Sequence, residues 1–489
     1  MSDDLKNSVL LSTFCSRRKR YRLYFHRNQI VWDNEKPPYA QHTLPIENVI
    51  AVGYKYLDNG PTEERCYDPH YFTIHYAEKK EVNLWCYNFL TLRHSDTYQV
   101  SSWVKTLQNH LQSFCKRPKK LLLFVNPYGG KRQAMKVFEK YGKPLFNIAG
   151  VDVSVIVSQR QNQIRDILIH HNLDMFDSVA CVGGDGTVSE LFNGLVIREC
   201  KMRGIDPDEV KENLPKPSLP IGIIPGGSTD TIVYSLHGTT DVTTAVLHII
   251  LGDSLGLDLV SVHDDSRLLR LFASALSYGY LGDVAYNSES LRWMGPSRYD
   301  YCGFKKIMAN KGYKGEIAIL SDSLQVDQLK CYDKCEKCFS KQCTTHNLNK
   351  DENEWKTLQG KFFMVSAANI SCACKRSPSG IAPYCHIGDG YLHLIIMHHT
   401  SLFNNLRILS RYAKSTYTTD DLPFMEVYRA KEICFRAVDA DKSRWNCDGE
   451  VQHQSDIRAR VHCQLLTVFS KGSSIPEESN KNCNFCKFQ

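Results

Sequence analysis

The chain has 489 residues, length enough for about three domains at ~150 residues each, and its 42% hydrophobic and 23% charged content excludes global disorder. The formal charge is +7, yet residues 1–120 alone, with 18 Lys/Arg against 12 Asp/Glu, hold +6 of it. That excludes a chain that coats nucleic acid along its whole length and points to one basic domain meeting an anionic surface. The 19 cysteines are odd in number, and the start MSDDLKNSVLLSTFCSRRKR runs acidic, then apolar, then basic, the reverse of a secretory signal. Reduced thiols in a cytoplasmic setting are therefore expected, and not a disulfide framework. No stretch approaches the ~18 apolar residues of a membrane span, so a lipid substrate would have to be reached from outside the bilayer.

Residues 1–116 read as short strands rich in β-branched and aromatic residues: Val9–Leu11, Arg22–Phe25, Ile30–Trp32, Val49–Tyr54, Tyr71–Tyr76 and Glu81–Tyr87. A helix over Val100–Phe114 follows, with Trp103, Leu107, Leu111 and Phe114 on one face. Strands closed by one amphipathic helix carrying a Trp resemble a pleckstrin homology domain. The tract Arg17-Arg18-Lys19-Arg20 with Arg22 is then a candidate phosphoinositide contact, or else a solvated basic hairpin.

After the polar linker at 115–120 the pattern becomes strand–helix alternation over residues 117–254. Strands are expected at Leu121–Val125, Val153–Val157, Val179–Val182 and Ile221–Ile224, a parallel sheet. From 255 to 470 strands dominate again: Leu257–Val262, Leu269–Leu276, Glu316–Leu320, Phe362–Ala367, Leu392–Ile396, Glu432–Ala437 and Arg458–Val468. They form an antiparallel, β-rich second domain interrupted by a polar, Cys-bearing insertion at 322–358. A polar tail, 471–489, ends the chain. The fold class is multidomain α+β, with the active site expected in the cleft between the α/β and β-rich domains.

Three glycine-rich turns each follow a strand: Asn126-Pro127-Tyr128-Gly129-Gly130-Lys131, Gly183-Gly184-Asp185-Gly186-Thr187 and Pro225-Gly226-Gly227-Ser228-Thr229-Asp230. In a parallel sheet all three lie at the carboxyl ends of strands, where ligands bind. Glycines there let backbone N–H groups approach phosphate oxygens. None is a Walker loop or a dinucleotide fingerprint. The carboxylate of Asp185 inside a phosphate cradle calls for a divalent cation or a proton to accept; alternatively it caps a helix.

This set resembles the diacylglycerol, sphingosine and ceramide kinase superfamily. The N-terminal pleckstrin-like domain, Cys331-x₃-Cys335-x₂-Cys338, Ser371-Cys-Ala-Cys-Lys-Arg-Ser-Pro378 and Trp445-Asn-Cys-Asp-Gly-Glu450 narrow it to the ceramide kinases, over about Leu10 to Phe469. The resemblance implies ATP-dependent phosphorylation of the ceramide primary hydroxyl to ceramide 1-phosphate, with Mg²⁺ and possible Ca²⁺ stimulation. Asp185 would be the general base. Gly183, Gly184, Asp185, Gly186 and Asp283 would meet the lipid. The nucleotide would contact Asn126, Pro127, Tyr128, Gly129, Gly130, Ser158, Gln159, Arg160, Gln161, Asn162, Glu190, Gly227, Arg292, Arg298, Asp448, Gly449 and Glu450. The resemblance also implies peripheral association with Golgi or plasma membrane and calmodulin control at 401–414. A sphingosine or diacylglycerol kinase, or an inactive lipid-binding adaptor, are the alternatives; Asp230 stands where the cousin kinases tend to have Asn. Cys331, Cys335, Cys338 and Cys343, with His346 nearby, are candidate metal ligands, although their spacing is not a standard zinc pair of pairs.

Overall fold

Alternating apolar residues dictate the first sheet. The computed structural model describes residues 9–16, 19–35, 40–56, 67–130, 132–210, 213–295, 297–321, 326–339, 354–413, 422–438 and 442–474. Strands β1 (Leu10–Ser16), β2 (Lys19–His26), β3 (Gln29–Asn34), β4 (Gln41–Pro45), β5 (Val49–Tyr56), β6 (Tyr67–Glu81) and β7 (Leu84–Arg93) form an antiparallel sheet in the order β4-β3-β2-β1-β7-β6-β5. β4 was not legible in the sequence. The last strand starts three residues later than expected, because Asn83 takes a left-handed turn (φ 64°) between β6 and β7. The helix Thr97–Gln112 is capped by the Asp96 carboxylate, which accepts the Tyr98 N–H at 2.9 Å. Its buried face seals the sheet: Trp103 is fully buried, sits edge-on to Phe14 and donates Nε1–H to Ser12 Oγ at 3.1 Å.

Strands β8 (Lys120–Val125), β9 (Asp152–Val157), β10 (Ser178–Gly183) and β11 (Ile221–Pro225) are parallel, in the order β9-β8-β10-β11. Every residue from Leu121 to Val125 is buried, as a strand covered on both faces requires. The sheet continues into antiparallel strands: β12 (Ser254–His263), β13 (Leu268–Phe272), β14 (Ala275–Gly279), β15 (Tyr313–Ser321), β16 (Glu354–Ala368), β17 (Leu392–His398), β18 (Met425–Ala430), β19 (Glu432–Ala437), β20 (Trp445–Cys447), β21 (Glu450–Gln452) and β22 (Ile457–Phe469). β22 is the seam. It pairs in parallel with β11 at one end and antiparallel with β12 and β19 along its length.

Two sequence expectations are corrected here. The strand expected over Leu269–Leu276 is two strands, broken at Ala273-Ser274, where backbone N–H groups turn to the Asp448 carboxylate. The insertion ends where β16 begins at Glu354, not at 358.

The N-terminal sheet is docked on the α/β layer. Trp85 exchanges backbone hydrogen bonds with Thr244 Oγ1, and Arg117 donates to the carbonyls of Glu47 and Val49. Beneath this contact His237 and His248 face each other at 2.9 Å, and burial holds the His237 imidazole down to about 4. Among the described residues no helix is long and apolar enough to cross a membrane.

Candidate active site

The three glycine turns converge and touch one another. Gly226 N–H donates to Gly183 O at 3.0 Å, and Asn126 N–H to Val182 O at 3.1 Å. A Cβ on Gly130 would lie 2.8 Å from Gly226 O, and one on Gly227 would lie 2.5 Å from Gly184 Cα. No side chain fits between these backbones. Asn126 fixes the first turn: its Oδ1 accepts Tyr128 and Gly129 N–H, and its Nδ2 donates to Thr187 Oγ1 at 2.9 Å. Pro127, Tyr128 and Gly129 are thereby held at the rim, with Tyr128 exposed.

Asp185 is the first residue of the helix Asp185–Arg203, yet its carboxylate caps a different helix. Oδ2 accepts Thr231 N–H at 3.1 Å and Oδ1 accepts Ile232 N–H at 3.0 Å, at the start of Thr231–His237. Burial raises its pKa; the two N–H bonds oppose that, and the Asp448 charge adds to it. Asp230 lies beside it in a left-handed conformation (φ 52°), accepting Gly227 N–H at 2.8 Å. Burial pushes the Asp230 carboxyl up to about 6, with Asp185 contributing repulsion. A divalent cation bound nearby would relieve the repulsion between these two neighbouring carboxylates.

A second cluster flanks the cradle. A cavity of about 180 Å³ is lined by Asn162, Arg165, Ser189, Glu190, Asn193 and Arg270, among others. Asn162 is left-handed (φ 61°) and precedes the helix Gln163–His170, and Glu190 Oε2 accepts Ile164 N–H at 3.3 Å. Burial raises the Glu190 pKa. Arg270 grips Glu450 with both terminal nitrogens and donates to Ser189 Oγ at 2.9 Å. Ser158 is buried, its N–H on Val125 O; Gln159 N–H meets Gln163, Arg160 pairs with Asp166, and Gln161 O accepts from Arg160.

Other expected residues sit differently. Asp448-Gly449 is a tight hairpin turn between β20 and β21, both residues at positive φ (48° and 88°). The Asp448 carboxylate is taken by the N–H groups of Ala273, Ser274 and Ala275 and by the Ser274 hydroxyl. Asp283 is buried and engaged by Ser443 (2.6 Å), Tyr313 (2.5 Å) and Lys306 (3.2 Å), so it ties the helix Tyr280–Ser288 to the helix Ser297–Ala309. Arg298 donates to the Tyr299 hydroxyl and stacks on its ring. The side chain of Arg292, and Arg17, Arg18, Lys131, Cys343 and His346, lie outside the described residues. Among the described residues His386, which the sequence did not suggest, stands with the expected Cys331, Cys335 and Cys338.

Sequence reasoning missed Arg270 and the cavity around it. The signal existed: an arginine inside the apolar run Leu268-Leu-Arg-Leu-Phe272 demands a buried partner. It also missed an exposed apolar face on the helices after Asp283. Trp293 is 81% exposed and Phe304 62%, with Tyr301 and Met308 about half exposed.

Three family models match successive parts of the chain: a ceramide kinase PH domain over residues 10–107, a diacylglycerol kinase catalytic domain over 120–262 and a ceramide kinase C-terminal domain over 273–443. A mouse ceramide kinase is 37% identical over 455 residues, 84% of this chain and 85% of that protein. The chain belongs to the ceramide kinase family. A human ceramide kinase is 36% identical, covering 88% of this chain and 89% of its own. A solved diacylglycerol kinase from Bacillus anthracis aligns at 15% identity and a TM-score of 0.46, over 72% of this chain and 97% of that one. The chain is thus a lipid kinase with an N-terminal PH domain, and its family implies ATP and a divalent cation as reaction partners.

Proposed function

We propose that this member of the ceramide kinase family phosphorylates the primary hydroxyl of ceramide. Asp185 takes the hydroxyl proton as the oxygen attacks the γ-phosphorus of ATP. The new O–P bond forms as the bond to the β–γ bridging oxygen breaks, and ADP leaves with that electron pair. The observation that carries this reading is the meeting of three side-chain-free turns at one buried carboxylate whose burial raises its affinity for a proton. Each Asp185 oxygen accepts one backbone N–H, which fixes the carboxylate and leaves a lone pair on each for the hydroxyl.

The phosphates lie against Asn126–Gly130, Gly183–Gly186 and Gly227, and the nucleoside enters the cavity at Asn162 and Glu190. Arg270 holds Glu450 at that cavity, and Asp448-Gly449 set the hairpin that presents it. Mg²⁺ would be the cation, with Asp230 as its candidate protein ligand beside the phosphates, and it would supply neutralisation of phosphate charge, leaving Asp185 free to accept the proton. The lipid approaches over the exposed Trp293, Tyr301, Phe304 and Met308, and Asp283 beneath them orients the headgroup. Arg298, on the helix Ser297–Ala309, would reach the phosphates.

The PH domain brings the cleft to an anionic Golgi or plasma membrane surface. Lys19 and Arg22 are exposed on the β1–β2 hairpin, the edge that a phosphoinositide would meet. The helix Leu402–Ala413 offers exposed Phe403 and Leu406 to calmodulin, which would convey Ca²⁺ stimulation.

The test is phosphate transfer from labelled ATP to ceramide, sphingosine and diacylglycerol in mixed micelles, with Mg²⁺, with and without Ca²⁺ and calmodulin. Label in ceramide alone is expected. Label chiefly in another lipid overturns the substrate, and label in none, from folded protein that binds vesicles, favours a lipid-binding adaptor.

A further inference from the structure

The inserted segment before β16 brings three cysteines to a buried histidine. Among the described residues Cys331, Cys335, Cys338 and His386 are a group whose sulfur and nitrogen atoms all lie within 4.8 Å of one another. Cys331 Sγ and Cys338 Sγ are 3.7 Å apart. A disulfide needs about 2.05 Å. Two thiolates on one tetrahedral zinc, each at about 2.3 Å, stand about 3.8 Å apart. His386 Nδ1 faces the sulfurs, 3.1 Å from Cys335 Sγ, while its Nε2 finds no hydrogen-bond partner among the described residues. The Nδ1 lone pair of this buried imidazole is thus turned to the thiols of Cys335 and Cys338, where coordination to a shared cation would use it.

We propose that Cys331, Cys335, Cys338 and His386 form a structural zinc site that anchors the insertion to the seam strand β22. Three protein ligands of one type from a short knuckle and a fourth from a distant loop make a closed Cys₃His set with no open position. Binding Zn²⁺ releases the three thiol protons to solvent, and no redox partner is needed. The knuckle is coupled to the rest of the fold by hydrogen bonds. Gln464 of β22 donates to Cys338 O at 2.6 Å and to Gly388 O at 2.9 Å. Asp333 N–H donates to Ser473 O at 2.6 Å, and Ser474 N–H donates to Asn83 Oδ1 in the β6–β7 turn of the PH domain. The metal therefore fixes a strap, residues 470–474, that lies between the kinase core and the PH domain.

The full-length protein, purified under reducing conditions without added chelator, is expected to carry one zinc per chain by plasma mass spectrometry. Mercurial treatment releases it to a chromogenic chelator, and reconstitution with Co²⁺ alone gives thiolate-to-cobalt charge-transfer bands. Cys335→Ser and His386→Ala lose the zinc, and His386→Cys keeps it, which separates loss of a ligand from loss of the fold. Zinc-free protein whose thiols all titrate as free, or full zinc in His386→Ala, overturns the site. Hydrogen exchange at residues 79–85 and 470–474 accelerates at least several-fold on zinc removal; unchanged exchange there overturns the anchoring.

Discussion

Asp185→Asn tests the base and the cap together, and the structure lets the two effects be separated by size. The carboxylate accepts two backbone N–H groups, from Thr231 and Ile232. An Asn amide offers only one acceptor oxygen, so one N–H is left facing an NH₂ donor. An unsatisfied buried donor costs about 1–3 kcal/mol. Removing the charge offsets part of this, because burial and the Asp448 charge both disfavour the ionised form. The folded pKa is raised, so the stability Asp185 contributes is present at low pH and is lost as pH rises through that pKa. The variant's deficit is therefore largest in acid and shrinks toward neutrality. Even the full ~3 kcal/mol, taken from a stability of only ~5 kcal/mol, leaves about twenty-nine molecules in thirty folded. Loss of a general base lowers turnover about 10²–10⁴-fold, far more than unfolding can. Thermal melting monitored by fluorescence should show a drop of about 1–4 °C, and labelled-ATP transfer to ceramide should fall by at least 10²-fold. A folded Asp185→Asn within tenfold of wild type would sink the base assignment.

The remaining predictions address the cradle, its flanks and the membrane domain. Gly227→Ala puts a Cβ 2.5 Å from Gly184 Cα and 2.6 Å from Asp230 Oδ1, so it should lose about 1–3 kcal/mol in urea unfolding together with ATP binding; a wild-type midpoint would contradict the interlocked turns. Gly186→Ala meets nothing within 4 Å, so its melting should match wild type while turnover drops, and full turnover would show that no ligand occupies that space. Arg270→Met breaks the paired grip on Glu450 and the bond to Ser189, so the KM for ATP should rise about 10–100-fold, the equivalent of one charged hydrogen bond; an unchanged KM would remove Arg270 from the nucleotide site. The acid limb of kcat/KM should lie above the ordinary aspartate value of 3.8, since the base must be ionised and its pKa is raised, and residual Asp185→Asn activity should lack that limb. Lys19→Ala with Arg22→Ala should weaken sedimentation with phosphoinositide vesicles while leaving transfer in micelles and the melting temperature unchanged.

The sequence alone determined the order of the layers and the chemistry of the turns. Period-two strands, one amphipathic helix with Trp103, and continuous apolar runs such as Leu121–Val125 are local consequences of side-chain periodicity. Glycines placed after strands announced a close meeting of backbones, since only a residue without Cβ lets them approach so closely. Tertiary structure decided what each polar side chain does, because a hydrogen bond needs a partner that sequence spacing does not specify. Asp185, whose alternative reading from sequence was the cap of its own helix, caps Thr231–His237. Asp448 reads as a nucleotide contact and closes the break between β13 and β14. Arg270 is a lone charge in an apolar strand until β21 brings Glu450 to it. His386 stands 51 residues from Cys335, and only the packing of its loop against β22 places it beside the thiols. Burial raises the pKa values of Asp185, Glu190 and Asp230, since desolvation exists only once the layers have closed over the site.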